Sequence, residues 1–120
     1  MHDKKGHRKS SYASTKHWRT RFNILKNKLV ILFQEIEQLR YSNIVIRTRN
    51  STQLEVTTPD INYGKIRFTS LMVNKSGSTW QEKHDYLNNI FENEKAELEH
   101  LRNENRYLIG QQEAPPSSPK

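Results

Sequence analysis

The chain reads as an α+β, helix-dominated interaction protein. It should consist of a long leucine-repeat helix, a small three-stranded antiparallel meander and a second amphipathic helix, flanked by a disordered basic arm and a disordered Pro/Ser tail. Three observations predict this. Apolar residues step by three and four along one early stretch, β-branched residues crowd the middle, and a capping signature precedes a later acidic stretch of helical spacing.

Residues 1–14, "MHDKKGHRKSSYAS", are polar, basic and aperiodic, which predicts a disordered arm. Residues 15–42 follow as a helix, with Ser14 or Thr15 available as its cap. Its apolar residues are Phe22, Leu25, Leu29, Leu32, Ile36 and Leu39, an a/d heptad pattern. Val30, Ile31 and Phe33 widen that stripe, so this helix needs more than one neighbour.

Residues 43–75 change texture. "NIVIRTRN", "STQLEVTT" and "KIRFTSLMV" are rich in β-branched residues, Leu54/Val56 and Ile66/Phe68 each share a strand face, and "PDINYG" reads as a turn. These features predict the meander, a sheet of about the smallest size that stands when a helix covers one face. A competing reading continues the first helix to Ile46, with Asn43 at an a position as a register-setting polar residue; the Ile-Val-Ile run favours the sheet.

"NKSGS" is a linker, after which "STWQE" offers two overlapping capping boxes, Ser78 with Gln81 and Thr79 with Glu82. A second helix is predicted over 79–109, stopped by Gly110. Its seam positions are Leu87, Phe91, Glu94, Leu98, Leu101, Asn105 and Leu108, where Glu94 and Asn105 weaken the stripe and Asn105 could set register. Residues 110–120, "GQQEAPPSSPK", predict a disordered tail.

Composition narrows the function. Leu, Ile, Val and Phe total 27 of 120 residues, little above the roughly 20% at which disorder becomes the default, so a partner sharing buried surface is expected. There is no cysteine, which excludes disulfides and thiolate metal sites. The longest apolar run, "LVILF", is too short to span a membrane, and no apolar signal segment opens the chain.

Charge is sorted along the chain. Residues 1–28 carry Lys4, Lys5, Arg8, Lys9, Lys16, Arg19, Arg21, Lys26 and Lys28 against a single Asp, while the remainder is nearly balanced. Such an arm suits nucleic acid, an acidic protein surface or an import receptor. Trp18, Tyr12 and Phe22 lie among those cations, where a ring could stack on a base or pack on a partner. The acidic second helix could also fold back beside this basic segment.

No catalytic arrangement emerges. The four glycines are scattered, no nucleophile elbow is present, and Glu97-x-x-His100 is only half of a di-iron ligand set. No catalytic residue, metal site, cofactor or small-molecule substrate is therefore expected. Ser11, with cations at −3 and −2, and Ser118, before a proline, are candidate phosphorylation sites.

Family layouts were compared on particular residues. A basic-region leucine zipper needs an Asn and an Arg at fixed distances before its first d leucine; counting back from Leu25 finds Thr15 and His7, so that family is excluded. Residues 16–59 resemble a MADS box in the spacing of Lys26-Asn27, Leu29, Glu35-Ile36, Leu39, Ile44/Ile46 and "VTTP". They depart from it where that family's basic cluster is replaced by Asn23, Ile24 and Leu25 and its central lysines by Ile31 and Leu32. The resemblance implies a helix leading into a β-hairpin and a second helix, and no base-reading residue carries over. The order helix, small sheet, helix also resembles prefoldin-type chaperone subunits in topology alone.

Together these features predict a non-catalytic coiled-coil subunit of a nuclear assembly on chromatin or DNA. Its protein partners, or a second copy in a homodimer, would be engaged by Phe22, Leu25, Leu29, Leu32, Phe33, Ile36, Leu39, Leu87, Phe91, Leu98, Leu101 and Leu108. The basic arm would contact nucleic acid or an acidic partner. The alternatives are a dimeric DNA-binding transcription regulator and a cytoplasmic scaffold or adaptor of spindle, transport or chaperone type.

Overall fold

The computed structural model describes the backbone of residues 2–49 and 57–113, and the side chains of residues 14–49 and 57–112. Three helices follow one another: α1 (His2–Arg47), α2 (Tyr63–Met72) and α3 (Trp80–Glu113). Among the described residues there is no strand.

The direction of each helix follows from its contacts. Trp18 stacks on His84 and Phe22 on Trp80, while farther along Arg40 meets Glu97 and Asn43 meets Asn105. Both sequences ascend together, so α1 and α3 are parallel. α2 descends along α1, its Gly64 against Val30 and its Phe68 against Phe22. A parallel pair within one chain needs a return path. The segment after Arg47 supplies it, carrying the chain back over about 37 Å of α1 at 1.5 Å per residue.

The core is the a/d seam. Phe22, Leu25, Leu29, Leu32, Phe33 and Ile36 of α1 are buried with Leu87, Leu98 and Leu101 of α3 and Phe68 of α2. Leu39, Phe91, Trp80 and Ile90 pack half-buried against them. Each fully buried leucine contributes roughly 1.5–3 kcal/mol.

The start of α3 is the one the sequence signals. Thr79 Oγ1 accepts the Glu82 backbone N–H at 3.1 Å and Glu82 Oε1 accepts the Thr79 N–H at 2.9 Å, a reciprocal capping box. The helix then passes Gly110 to Glu113, because Gly110 takes no left-handed conformation that would stop it.

The three-stranded meander is not seen, and the fold is all-helical where it was expected to be α+β. Residues 43–47 continue α1, since Asn43 and Ile46 extend the three–four stepping of the seam and the buried Asn43, bonded to α3, overrides the strand propensity of Ile44, Val45 and Ile46. Most of "KIRFTSLMV" lies in α2. There the pattern that counts is Gly64, Phe68, Leu71 and Met72, a helical spacing of residues facing α1, not the Ile66/Phe68 alternation. The predicted middle strand and the "RNST" turn fall largely outside the described residues. "PDINYG" does turn the chain, through an Asp60 carboxylate that accepts the Asn62 N–H at 2.7 Å, but it opens a helix and not a hairpin. With no hairpin after α1 among the described residues, the MADS-box and prefoldin-like layouts are lost as well.

The backbone of residues 2–14, expected to be a disordered arm, belongs to α1. Once the seam nucleates the helix, Lys, Arg, Ser and Ala propagate it N-terminally at little cost, and no proline interrupts it. The tail from residue 114 lies outside the described residues.

Candidate functional site

The seam is set by one polar pair. Asn43, fully buried at an a position, receives a 2.8 Å hydrogen bond on its Oδ1 from Asn105 Nδ2, and its own Nδ2 donates to the Leu101 carbonyl at 3.2 Å and to Glu104 Oε1 at 3.3 Å. A buried amide at a single a layer is satisfied only when its partner amide stands opposite, which fixes parallel register. The separation of 62 residues then carries along both helices. It sets Ile36 against Leu98, Leu29 against Phe91 and Leu25 against Leu87.

The same register sets Leu32 against Glu94, a carboxylate in a d position. Arg67 of α2 resolves this, its Nη2 donating to Glu94 Oε2 at 3.2 Å while its guanidinium lies 4.3 Å from the centre of the Phe33 ring. α2 is itself buckled to α1 by Gln34, whose Oε1 accepts the Gly64 N–H and whose Nε2 donates to the Asp60 carbonyl, each at 2.8 Å. Gly64 N–H is one of the orphan donors of a helix start, so Gln34 acts as a cap supplied from another helix. A Cβ on Gly64 would run into the Val30 carbonyl oxygen; only glycine allows this approach.

The two edges of the seam differ in charge. On the e/g edge nearer α2, Arg40 pairs with Glu97 at 3.5 Å and Arg47 pairs with Glu104, as opposite charges at these heptad positions should. On the other edge the facing positions are Arg21 and Asn88, Lys28 and Lys95, Glu35 and Arg102. Lys95 and Arg102 make only neighbouring contacts within α3, to Glu92 at 3.5 Å and Glu99 at 3.8 Å.

The predicted basic residues divide similarly. Arg19, Arg21 and Lys26 lie over the rings of Trp80, Trp18 and Phe68 at 5.7, 5.4 and 5.3 Å. Lys16 and Lys28 are exposed, and among the described residues no carboxylate pairs with any of these five cations. The side chains of Lys4, Lys5, Arg8, Lys9 and Ser11 lie outside the described set, although their backbone is helical, and Ser118 is outside it altogether. The predicted packing residues are gathered into the one core, with Leu108 half-buried near the end of α3. They pack against one another within the chain's own helices.

Sequence reasoning missed Gln34, Arg67 and Trp80, because each acts on an element whose position is set by tertiary contact. Glu97 is held by Arg40. Among the described residues no group of side chains could hold a metal ion, and no helix is long and apolar enough to cross a membrane. Comparison with known protein families, curated proteins and solved structures finds no match.

Proposed function

We propose that this protein is a non-catalytic coiled-coil adaptor subunit of a nuclear assembly on DNA or chromatin, with the basic N-terminal reach of α1 touching the phosphate backbone. One observation carries this reading. The fold pairs Arg40, Arg47 and Arg67 with carboxylates, yet leaves Lys16, Arg19, Arg21, Lys26 and Lys28 without one among the described residues. By the seam register Trp80 stands level with Trp18, so α1 extends about 24 Å beyond the start of α3. A projecting cationic helix gains affinity for a polyanion by counterion release, without reading sequence.

Salt titration of binding to unrelated DNA duplexes tests this. Affinity should fall log-linearly with salt and be similar for every duplex; replacing Lys16 and Arg19 with Gln should reduce the slope by roughly 2. Salt-insensitive binding or no binding would remove the DNA contact. A nanomolar preference for one sequence at about 150 mM salt would favour the rival transcription regulator. Fluorescent tagging with and without residues 1–21 tests the location: nuclear exclusion of the intact protein would favour the cytoplasmic scaffold.

A further inference from the structure

We propose that the edge of the α1–α3 seam facing away from α2 is a docking groove for an acidic amphipathic helix of a partner protein. The proposal rests on the adaptor reading and adds the surface through which the adaptor would join its assembly.

A two-helix seam exposes two long grooves, and among the described residues α2 covers only one. The uncovered side holds two clefts. One, of about 440 Å³, is lined by His17, Arg21, Ile24, Leu25, Lys28 and Phe91 together with His84, Asn88 and Glu92. The second, of about 320 Å³, continues the line with Glu35, Leu39, Leu98 and Arg102. Leu25, Leu39, Phe91 and Leu98 form the apolar part of a mixed lining, and Ile24 remains 51% exposed. An isolated anion would leave that apolar part wet, whereas the apolar face of a helix would cover it.

Charge chooses the occupant. The register sets Lys28 across from Lys95, a like-charge pair where the opposite edge has Arg40–Glu97 and Arg47–Glu104. With Arg21 and Arg102, four cations rim the open edge against Glu35 on the same positions; Lys95 and Arg102 are held by Glu92 and Glu99 of α3 in exposed pairs, whereas Arg21 and Lys28 have no carboxylate partner among the described residues. A third helix bearing carboxylates beside its apolar stripe would separate Lys28 from Lys95 and neutralise Lys28 and Arg21. A second copy would bring an identical cationic edge against this one, which the charges oppose. From His17 to Ser42 the groove is about 37 Å long, enough for three heptads.

The probe is a fluorescein-labelled helix of about 21 residues with Leu at a and d and Glu at e and g, compared with its Lys counterpart by anisotropy against the full chain. The Glu helix should bind at least about tenfold more tightly near 150 mM salt. Replacing both Lys28 and Lys95 by Glu should reverse that preference, and Ile24→Asp should weaken binding about tenfold, all with unchanged helicity by circular dichroism. Lys95→Glu alone should weaken the Glu helix while leaving the DNA salt slope intact, so the groove and the DNA contact fail independently. Equal binding of both probes, or no binding of the Glu helix at about 100 µM, would overturn the proposal. So would sedimentation showing that the protein alone is a dimer dissociated by Ile24→Asp, since a second copy would then fill the groove.

Discussion

Arg67→Met tests how α2 and the seam depend on each other. Glu94 occupies a d position opposite Leu32, its side chain 17% exposed, and Arg67, 32% exposed, is its partner. Removing one member of a fully buried pair costs about 3–5 kcal/mol. Partial exposure reduces this, and the lost stacking on Phe33 restores about 0.5–1 kcal/mol, giving an expected loss of about 2–3 kcal/mol. At about 4 °C per kcal/mol for a domain of this size, Tm should fall by about 8–12 °C. Glu94→Leu should instead be close to neutral, because it completes the apolar seam while Arg67 can turn to solvent. The double variant should come within about 1 kcal/mol of the parent, a coupling of at least about 1 kcal/mol in a cycle measured by thermal and urea melts. Additive losses, or an Arg67→Met effect below about 0.5 kcal/mol, would refute the role assigned to α2.

Gly64→Ala should displace α2 from Val30 and speed limited proteolysis in the α1–α2 connection, with a stability loss of at least about 2 kcal/mol in urea. Gln34→Leu strips the cap from Gly64 N–H and should cost about 1–3 kcal/mol on thermal melting. Leu29→Ala, at a fully buried layer, should cost about 2–5 kcal/mol and lower the far-ultraviolet helix signal at physiological temperature. Replacing Asn43 and Asn105 together by Leu should raise Tm yet yield more than one species in size-exclusion chromatography, since the register constraint is gone.

What the sequence made legible was the seam and what it hid was the return path. Phe22 to Leu39 announce a heptad helix because period 3.5 survives in the residue types alone. Thr79 and Glu82 announce the start of α3 because both partners of that cap are local. Asn43 was visible as a register residue, but Ile44, Val45 and Ile46 carry a strand preference that the docking of Asn43 on α3 overrides, and Val45 itself stays exposed. Gln34 and Arg67 look like ordinary surface residues; their roles exist only once α2 lies on α1. The charge asymmetry was plain, whereas the sorting of charge between the two seam edges needs the register.

Parallel pairing of α1 and α3 within one chain is tested most directly by cross-linking, and the absence of native cysteine makes this clean. A variant with Ile36→Cys and Leu98→Cys, which leaves the Asn43–Asn105 pair in place, should oxidise in dilute solution to an intramolecular disulfide, seen as a faster monomer band on non-reducing gels. The pair Phe22→Cys with Leu101→Cys, which an antiparallel hairpin would bring closer, should stay reduced. Closure of the second pair and not the first, or a covalent dimer from the first, would contradict the fold.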